Sequence, residues 1–176
     1  MAAVKNLGYF VNTVRPAIAD HWRRDSIALD YLESLGAAAD ASDDVGCGPT
    51  AFAAIAGISI DETTALFSRD SLWTNRTRME RALHAFGWDF IKLDHAWPEM
   101  GLCLIHWCGP WTERGYAHAI LQRTHWVAVI ADYVFDVNWC GWLPRQNWED
   151  AVVAELLSNC AARAWIPLTG YELRLA

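Results

Sequence analysis

The sequence predicts an α+β domain, helices first and an antiparallel sheet second. Up to Gly87 the apolar residues recur at helical spacing. After Gly87 they fall into short runs bounded by Gly, Pro or Asp. The nearest thing to a linker is the small, acidic, turn-forming stretch 36–44, and no internal repeat or low-complexity tract interrupts the chain. One domain is expected for 176 residues. Its parts are an N-terminal helical segment (1–43), a second helical part (44–87), a sheet (88–146) and a C-terminal helix and strand (147–176).

The elements follow in order. Ile18, Trp22, Ile27, Ala28, Tyr31, Leu32 and Leu35 predict an amphipathic helix over residues 16–35. A second helix is expected to start at Cys47, with Pro49 suited to a first helical position and Gly57 closing the nearly all-apolar run 50–56. Ser59-Ile60-Asp61-Glu62 reads as a capping box that opens a short helix to Phe67. Another helix follows from about Asn75, with Met79, Ala82, Leu83 and Phe86 on one face and Gly87 as its stop. Strands are expected at 90–93, 102–107, 117–121, 125–130 and 133–139, then a helix over 147–157 and a closing strand at 171–175.

Composition excludes several classes. The formal charge of −7 argues against nucleic acid or anionic membrane as a partner, since both need a concentrated basic face. The basic clusters, Arg23-Arg24 and Arg76, Arg78 and Arg81, read as solvated faces. No apolar run has the length of a membrane span, and residues 1–8 lack the apolar stretch of a secretory signal. Five cysteines, an odd number without regular spacing, fit a reducing cytoplasm better than a disulfide framework. Eleven tryptophans, seven of them from Trp97 to Trp148, leave two readings open: a Trp-rich core, or an aromatic groove for substrate.

The chemistry resides in two short strings. Asp44-Val45-Gly46-Cys47-Gly48-Pro49-Thr50 places a thiol where a helix begins, and 78 residues later Thr124-His125-Trp126-Val127-Ala128-Val129 opens an apolar strand with a histidine. Eleven residues further stands Asp136. Cysteine, histidine and carboxylate in that order are the nucleophile, base and orienting group of a thiol hydrolase. A helix N-terminus stabilises a thiolate through unpaired N–H groups. Gly46 and Gly48 leave room for a substrate carbonyl to approach and for backbone N–H groups to face an oxyanion.

Cys47-Gly48-Pro49-Thr50-Ala51 resembles the nucleophile motif of the papain-like cysteine peptidase superfamily, particularly bacteriocin-processing and related small peptidases. The string from His125 to Val129 is similar to the superfamily's base, which begins a strand as His-aromatic-Val-x-Val, and Asp136 stands where its third residue follows on the next strand. The spacing also resembles small phage- and prophage-encoded proteins of this type. The resemblance spans about residues 44–140 and implies a papain-like fold, with Cys47, His125 and Asp136 as catalytic residues. Such peptidases usually carry a Gln a few residues before the cysteine as oxyanion donor. Here Ala41, Ser42, Asp43 and Asp44 occupy that stretch, so Ser42, Gly46 and Gly48 form the candidate oxyanion region.

Hairpin geometry bears on the third member. If Ala131-Asp132 form a two-residue turn, Ile130 pairs with Tyr133, His125 falls opposite Asn138, and Asp136 is its diagonal neighbour on the same face. Both can address the imidazole; the resemblance, and the ability of a carboxylate to stabilise imidazolium, favour Asp136, and Asn138 is the alternative third member. Cys103-x-x-His106-x-Cys108 invites a zinc reading, but Cys103 and His106 would point to opposite faces of a strand, so neither a metal nor another cofactor is expected. The expected function is cysteine-dependent hydrolysis of an amide, peptide or isopeptide bond in a peptide or protein. The alternatives are an acyltransferase with the same triad, an order shared by arylamine acetyltransferases and transglutaminases, or a weakly active or inactive phage-encoded binding protein using a Trp-lined cleft.

Overall fold

A computed structural model describes residues 46–67, 74–109, 123–138, 141–154 and 163–174. The expected helix over 16–35, the linker with Ser42, the strand at 117–121, and Trp139, Cys140 and Cys160 lie outside the described residues. The described part is α+β. Helices α1 (Cys47–Ala56), α2 (Ile60–Thr64) and α3 (Arg76–Phe86) precede strands β1 (Asp89–Asp94), β2 (Met100–Cys108), β3 (Thr124–Ile130), β4 (Tyr133–Asp136) and β5 (Gly141–Pro144). A single α-helical turn, α4 (Arg145–Asn147), runs into a π-helical turn (Trp148–Val153), and β6 (Ala164–Arg174) follows. The six strands form one antiparallel sheet in the order β1-β6-β2-β3-β4-β5.

Local chemistry sets the helix ends. Gly46 caps α1 at φ 77°, ψ 161°, a conformation essentially restricted to glycine. Gly57 ends the helix at φ 63°, in the left-handed region. Pro49 is the third helical residue rather than the first. Its missing N–H is harmless there too, because the first intrahelical bond runs from the Thr50 N–H to the Gly46 carbonyl. The Ser59–Glu62 capping box opens α2 and Gly87 closes α3 as the sequence predicts, while Asn75 caps α3 through the Arg78 N–H and α2 ends at Thr64 rather than Phe67.

Residues 48–56 of α1 are all buried, and the helix lies across β3 with further contacts to β2 and β4. Alanines at 51, 53, 54 and 56 permit that close approach, while Phe52 fills the space beneath α3, its ring 5.4 Å from Phe86, 5.6 Å from Phe67 and 5.6 Å from Trp88. Leu102, Leu104, Trp126, Ala128, Phe135 and Tyr171 complete this core. The opposite face of the sheet carries a second core of Cys103, Ile105, Val127, Val129 and Val134, covered by Trp148 and Val153 of the π-turn and by Trp97, Trp107, Leu143 and Trp165.

The expected strand boundaries change in three places. The closing strand at 171–175 is the end of an eleven-residue strand that runs between β1 and β2. Pro167 lies within that longer strand, where the ladder shifts register between Leu104 and Ile105, and a proline is tolerated at such an irregularity. Gly141–Pro144 adds an unforeseen edge strand. The strand expected to run to 139 stops at Asp136, for a reason given below. Replacing Phe52 with alanine should cost about 3–5 kcal/mol, the usual loss for a buried phenylalanine, measured as a lower urea midpoint with an unchanged slope.

Candidate active site

The β3–β4 hairpin has the register read from its turn: Ile130 pairs with Tyr133, Val129 with Val134 and Ala128 with Phe135. Ala131 takes φ 51° in the turn. The pairing ends there because the Asp136 carboxylate folds back on its own chain. Its Oδ1 accepts the Asn138 N–H at 2.8 Å, an Asx-type turn that bends residues 137–138 out of the ladder. N–H groups of alternate residues on β3 point toward β4, so that of Trp126 is released where β4 turns away. The Cys47 sulfur accepts it at 3.4 Å. The first residue of α1 is thereby seated where two strands part.

His125 and Asp136 are joined at the same place. His125 Nε2 lies 2.9 Å from Asp136 Oδ1, with the carboxylate fully buried and the imidazole nearly so. With Nε2 committed to the carboxylate, Nδ1 is the nitrogen left for Cys47, whose thiol is in hydrogen-bonding contact with the imidazole. Asp136 Oδ2 accepts the indole N–H of Trp148 at 2.8 Å. Asn138 is exposed. Its amide nitrogen lies 3.3 Å from His125 Nε2, but a ring nitrogen that donates to Asp136 cannot also accept from an amide. Asn138 therefore acts on the site through its backbone N–H, and the buried carboxylate is the group that orients the ring.

Each ionisable group is shifted toward its charged form. Burial alone pushes the Cys47 thiol up, but the imidazole of His125 and the Trp126 N–H outweigh it and hold the thiol below its ordinary value. Burial lowers the His125 value, and the charges of Asp136 and Cys47 more than reverse this, leaving it well above the usual range. Asp136, which burial would raise, is brought below the ordinary carboxylate range by His125, Trp148 and the Asn138 N–H. The arrangement thus favours thiolate, imidazolium and carboxylate together. By contrast, burial pushes Cys103 up to about 12 and raises Cys108.

The glycines serve different ends. Gly46 supplies the positive-φ N-cap of α1. The bare Cα of Gly48 does not open the site to substrate, because a Cβ there would meet Thr74 Cβ at 2.5 Å. Thr74 is held in turn by its carbonyl, which accepts the Trp126 indole N–H at 2.7 Å. The backbone N–H groups of Cys47 and Gly48 belong to the first turn of α1, where helix geometry leaves them without an intrahelical acceptor. Ser42 lies outside the described residues.

Most described tryptophans are core residues: Trp88, Trp126, Trp142 and Trp148 are fully buried. Trp107, half-buried, flanks the His125 ring at 6.3 Å. The sequence groups Trp107 and Trp148 with the tryptophans of a core or an aromatic groove without assigning either a contact at the site, and it does not single out Thr74. Among the described residues no group of three His, Cys, Asp or Glu side chains is placed to hold a metal ion, and no helix is long and apolar enough to cross a membrane. No protein-family model matches the chain, nor does any curated protein or solved structure.

Two outcomes follow. Gly48→Ala should destabilise the protein by about 1–3 kcal/mol, the usual cost of overpacking, and Thr74→Gly in the same background should recover part of that loss in thermal unfolding. Alkylation of Cys47 should rise with pH through a value below that of an ordinary thiol and then level. His125→Ala should move that rise toward higher pH, checked by mass-spectrometric rates at each cysteine.

Proposed function

We propose that this protein is a cysteine-dependent hydrolase of the papain-like type, acting on an amide, peptide or isopeptide bond of a peptide or protein substrate. One observation carries the reading. A thiol held below its ordinary value at a helix N-terminus contacts an imidazole whose other nitrogen is fixed by a buried carboxylate. Burying that carboxylate has a cost that packing alone does not require, since an apolar pair of similar volume is often at least as stable. The same three residues supply a nucleophile, a base and an orienting group.

In this reading Cys47 Sγ attacks the carbonyl carbon and the carbonyl π electrons move to oxygen. The N–H groups of Cys47 and Gly48 stabilise the oxyanion. His125 Nδ1–H protonates the leaving nitrogen as the C–N bond breaks, leaving an acyl-thioester. Water then gives a proton to Nδ1 and attacks the thioester carbon, and expulsion of the Cys47 thiolate releases the acid. With an amine in place of water, the same steps transfer the acyl group. Three free thiols among the described residues, Cys47, Cys103 and Cys108, fit the reducing cytoplasm that we propose, with the host cytoplasm or the virion as the setting if the protein is phage-encoded.

The roles of Asp136 and Asn138 provide the test. Asp136→Asn keeps the volume of the side chain and removes its charge. It should lower the alkylation rate of Cys47 at neutral pH, and turnover of an amide or thioester substrate, by at least about tenfold. Asn138→Ala keeps the backbone N–H and should have only a mild effect. Equal alkylation of all described cysteines in the folded parent protein would refute the hydrolase reading. Because turnover needs both thiolate and imidazolium, its pH profile should be bell-shaped. The acid limb should lie below the ordinary thiol value and the alkaline limb above the ordinary histidine value.

A further inference from the structure

We propose that Trp148 is a positioning residue of this site, its indole N–H fixing Asp136 Oδ2 so that Oδ1 stays on His125 Nε2 and the imidazole stays turned toward Cys47. The proposal rests on the triad reading above and adds a member that touches neither thiol nor imidazole. Among the described residues, Asp136 Oδ1 receives two donors, His125 Nε2 and the Asn138 N–H, whereas Oδ2 receives the Trp148 indole. The carboxylate is fully buried, so losing the indole donor would leave Oδ2 without the partner that a desolvated charge needs.

The indole is itself held rigidly. Its ring lies 5.8 Å from Trp97 and 5.0 Å, edge to face, from Trp165. Arg145, one turn earlier, stacks its guanidinium 4.6 Å from the Trp97 ring and pairs with Glu149 at 3.1 Å. The Arg145 N–H donates to the Asp132 carbonyl at 2.6 Å, tying the start of this segment to the β3–β4 turn. Trp148 is the first residue of a π-helical turn, a wide turn that recurs at functional positions, where the register of an ordinary helix changes. The titratable group that acts on Asp136 is His125 from β3, Asp136 in turn acts on Cys47 of α1, and the π-turn contributes the neutral indole of Trp148.

The consequence passes through the chain of contacts. A weaker hold on Asp136 favours its neutral form, which removes the charge that keeps His125 protonated. Cys47 then loses the cation that favours its thiolate. The experiment compares Trp148→Phe, Asp136→Asn and the double variant in the full chain by the pH profile of Cys47 alkylation with iodoacetamide. Trp148→Phe should slow alkylation about tenfold at a pH below the plateau, the size expected for one hydrogen bond to a charged group, and should shift the acid limb upward. In the Asp136→Asn background the same change should shift it no further, because both act through one carboxylate.

A Trp148→Phe protein with a lower Tm but an unmoved pH profile would show a packing role only and overturn the inference, leaving the hydrolase reading intact. A parent protein whose Cys47 is no more reactive than Cys103 or Cys108 would overturn the triad reading, and this inference with it. Should Trp148→Phe not fold, the parent protein still decides. The Trp148 indole resonance, followed by NMR with labelled indole nitrogen, should move through the pH at which the site ionises. An indole resonance that does not titrate with Cys47 would overturn the proposal.

Discussion

The buried carboxylate of Asp136 is the constraint around which this end of the molecule is arranged. A charge removed from water must be met by donors and opposite charge, or it is lost to protonation. Asp136 is met by an imidazole from the neighbouring strand, by a backbone N–H two residues on, and by an indole from the far side of the sheet. Each donor also determines local structure. The backbone bond ends β4, the imidazole bond leaves Nδ1 for the thiol, and the indole bond anchors the π-turn. Removing one partner of such a buried group typically costs about 3–5 kcal/mol, so the same contacts that define the site also hold the hairpin and the π-turn together.

Its contribution to stability has a definite pH sense. Asp136 is held below the ordinary carboxylate range, so the stability it brings is complete above that range and is lost as pH falls through its depressed value. His125 is raised, so its contribution is complete below its unfolded value and is lost as pH rises through the folded one. Between those limits the Asp136–His125 pair is charged where it is most buried.

The helix that carries the thiol is placed by omission as much as by contact. Where β4 bends away, β3 is left with an N–H that has no strand partner, and the sulfur at the start of α1 takes it. The alanines of α1 let its backbone lie close on the sheet, and the bare Cα of Gly48 gives Thr74 room to pack. Thr74 in turn anchors the Trp126 ring, whose backbone N–H is the one that meets the thiol. Helix, loop and strand thus meet beside the thiol, which the Trp126 N–H contacts directly.

Much of this was legible in one dimension because it depends on local spacing. The capping box at Ser59, the glycine stops at Gly57 and Gly87, and the two-residue turn at Ala131-Asp132 are short-range rules, and the pairing of Ile130 with Tyr133 places His125 and Asp136 within reach of each other. Spacing leaves both Asp136 and Asn138 within reach of His125, and only the resemblance and the charge of a carboxylate favour Asp136; burial distinguishes them, since the carboxylate is enclosed and the amide is exposed. Tertiary structure alone decided the rest. Nothing in the sequence brings Trp148 under Asp136 or Thr74 against Gly48, because those contacts join segments remote in sequence and follow from how a π-turn and a loop pack on the sheet. The strand expected at 171–175 begins at Ala164, and its added residues pair with β2 across a register shift at Leu104/Ile105 that accommodates Pro167, a residue without an N–H. Local periodicity specifies which segments are helix or strand; which side chains close on one another across the sheet is decided by packing.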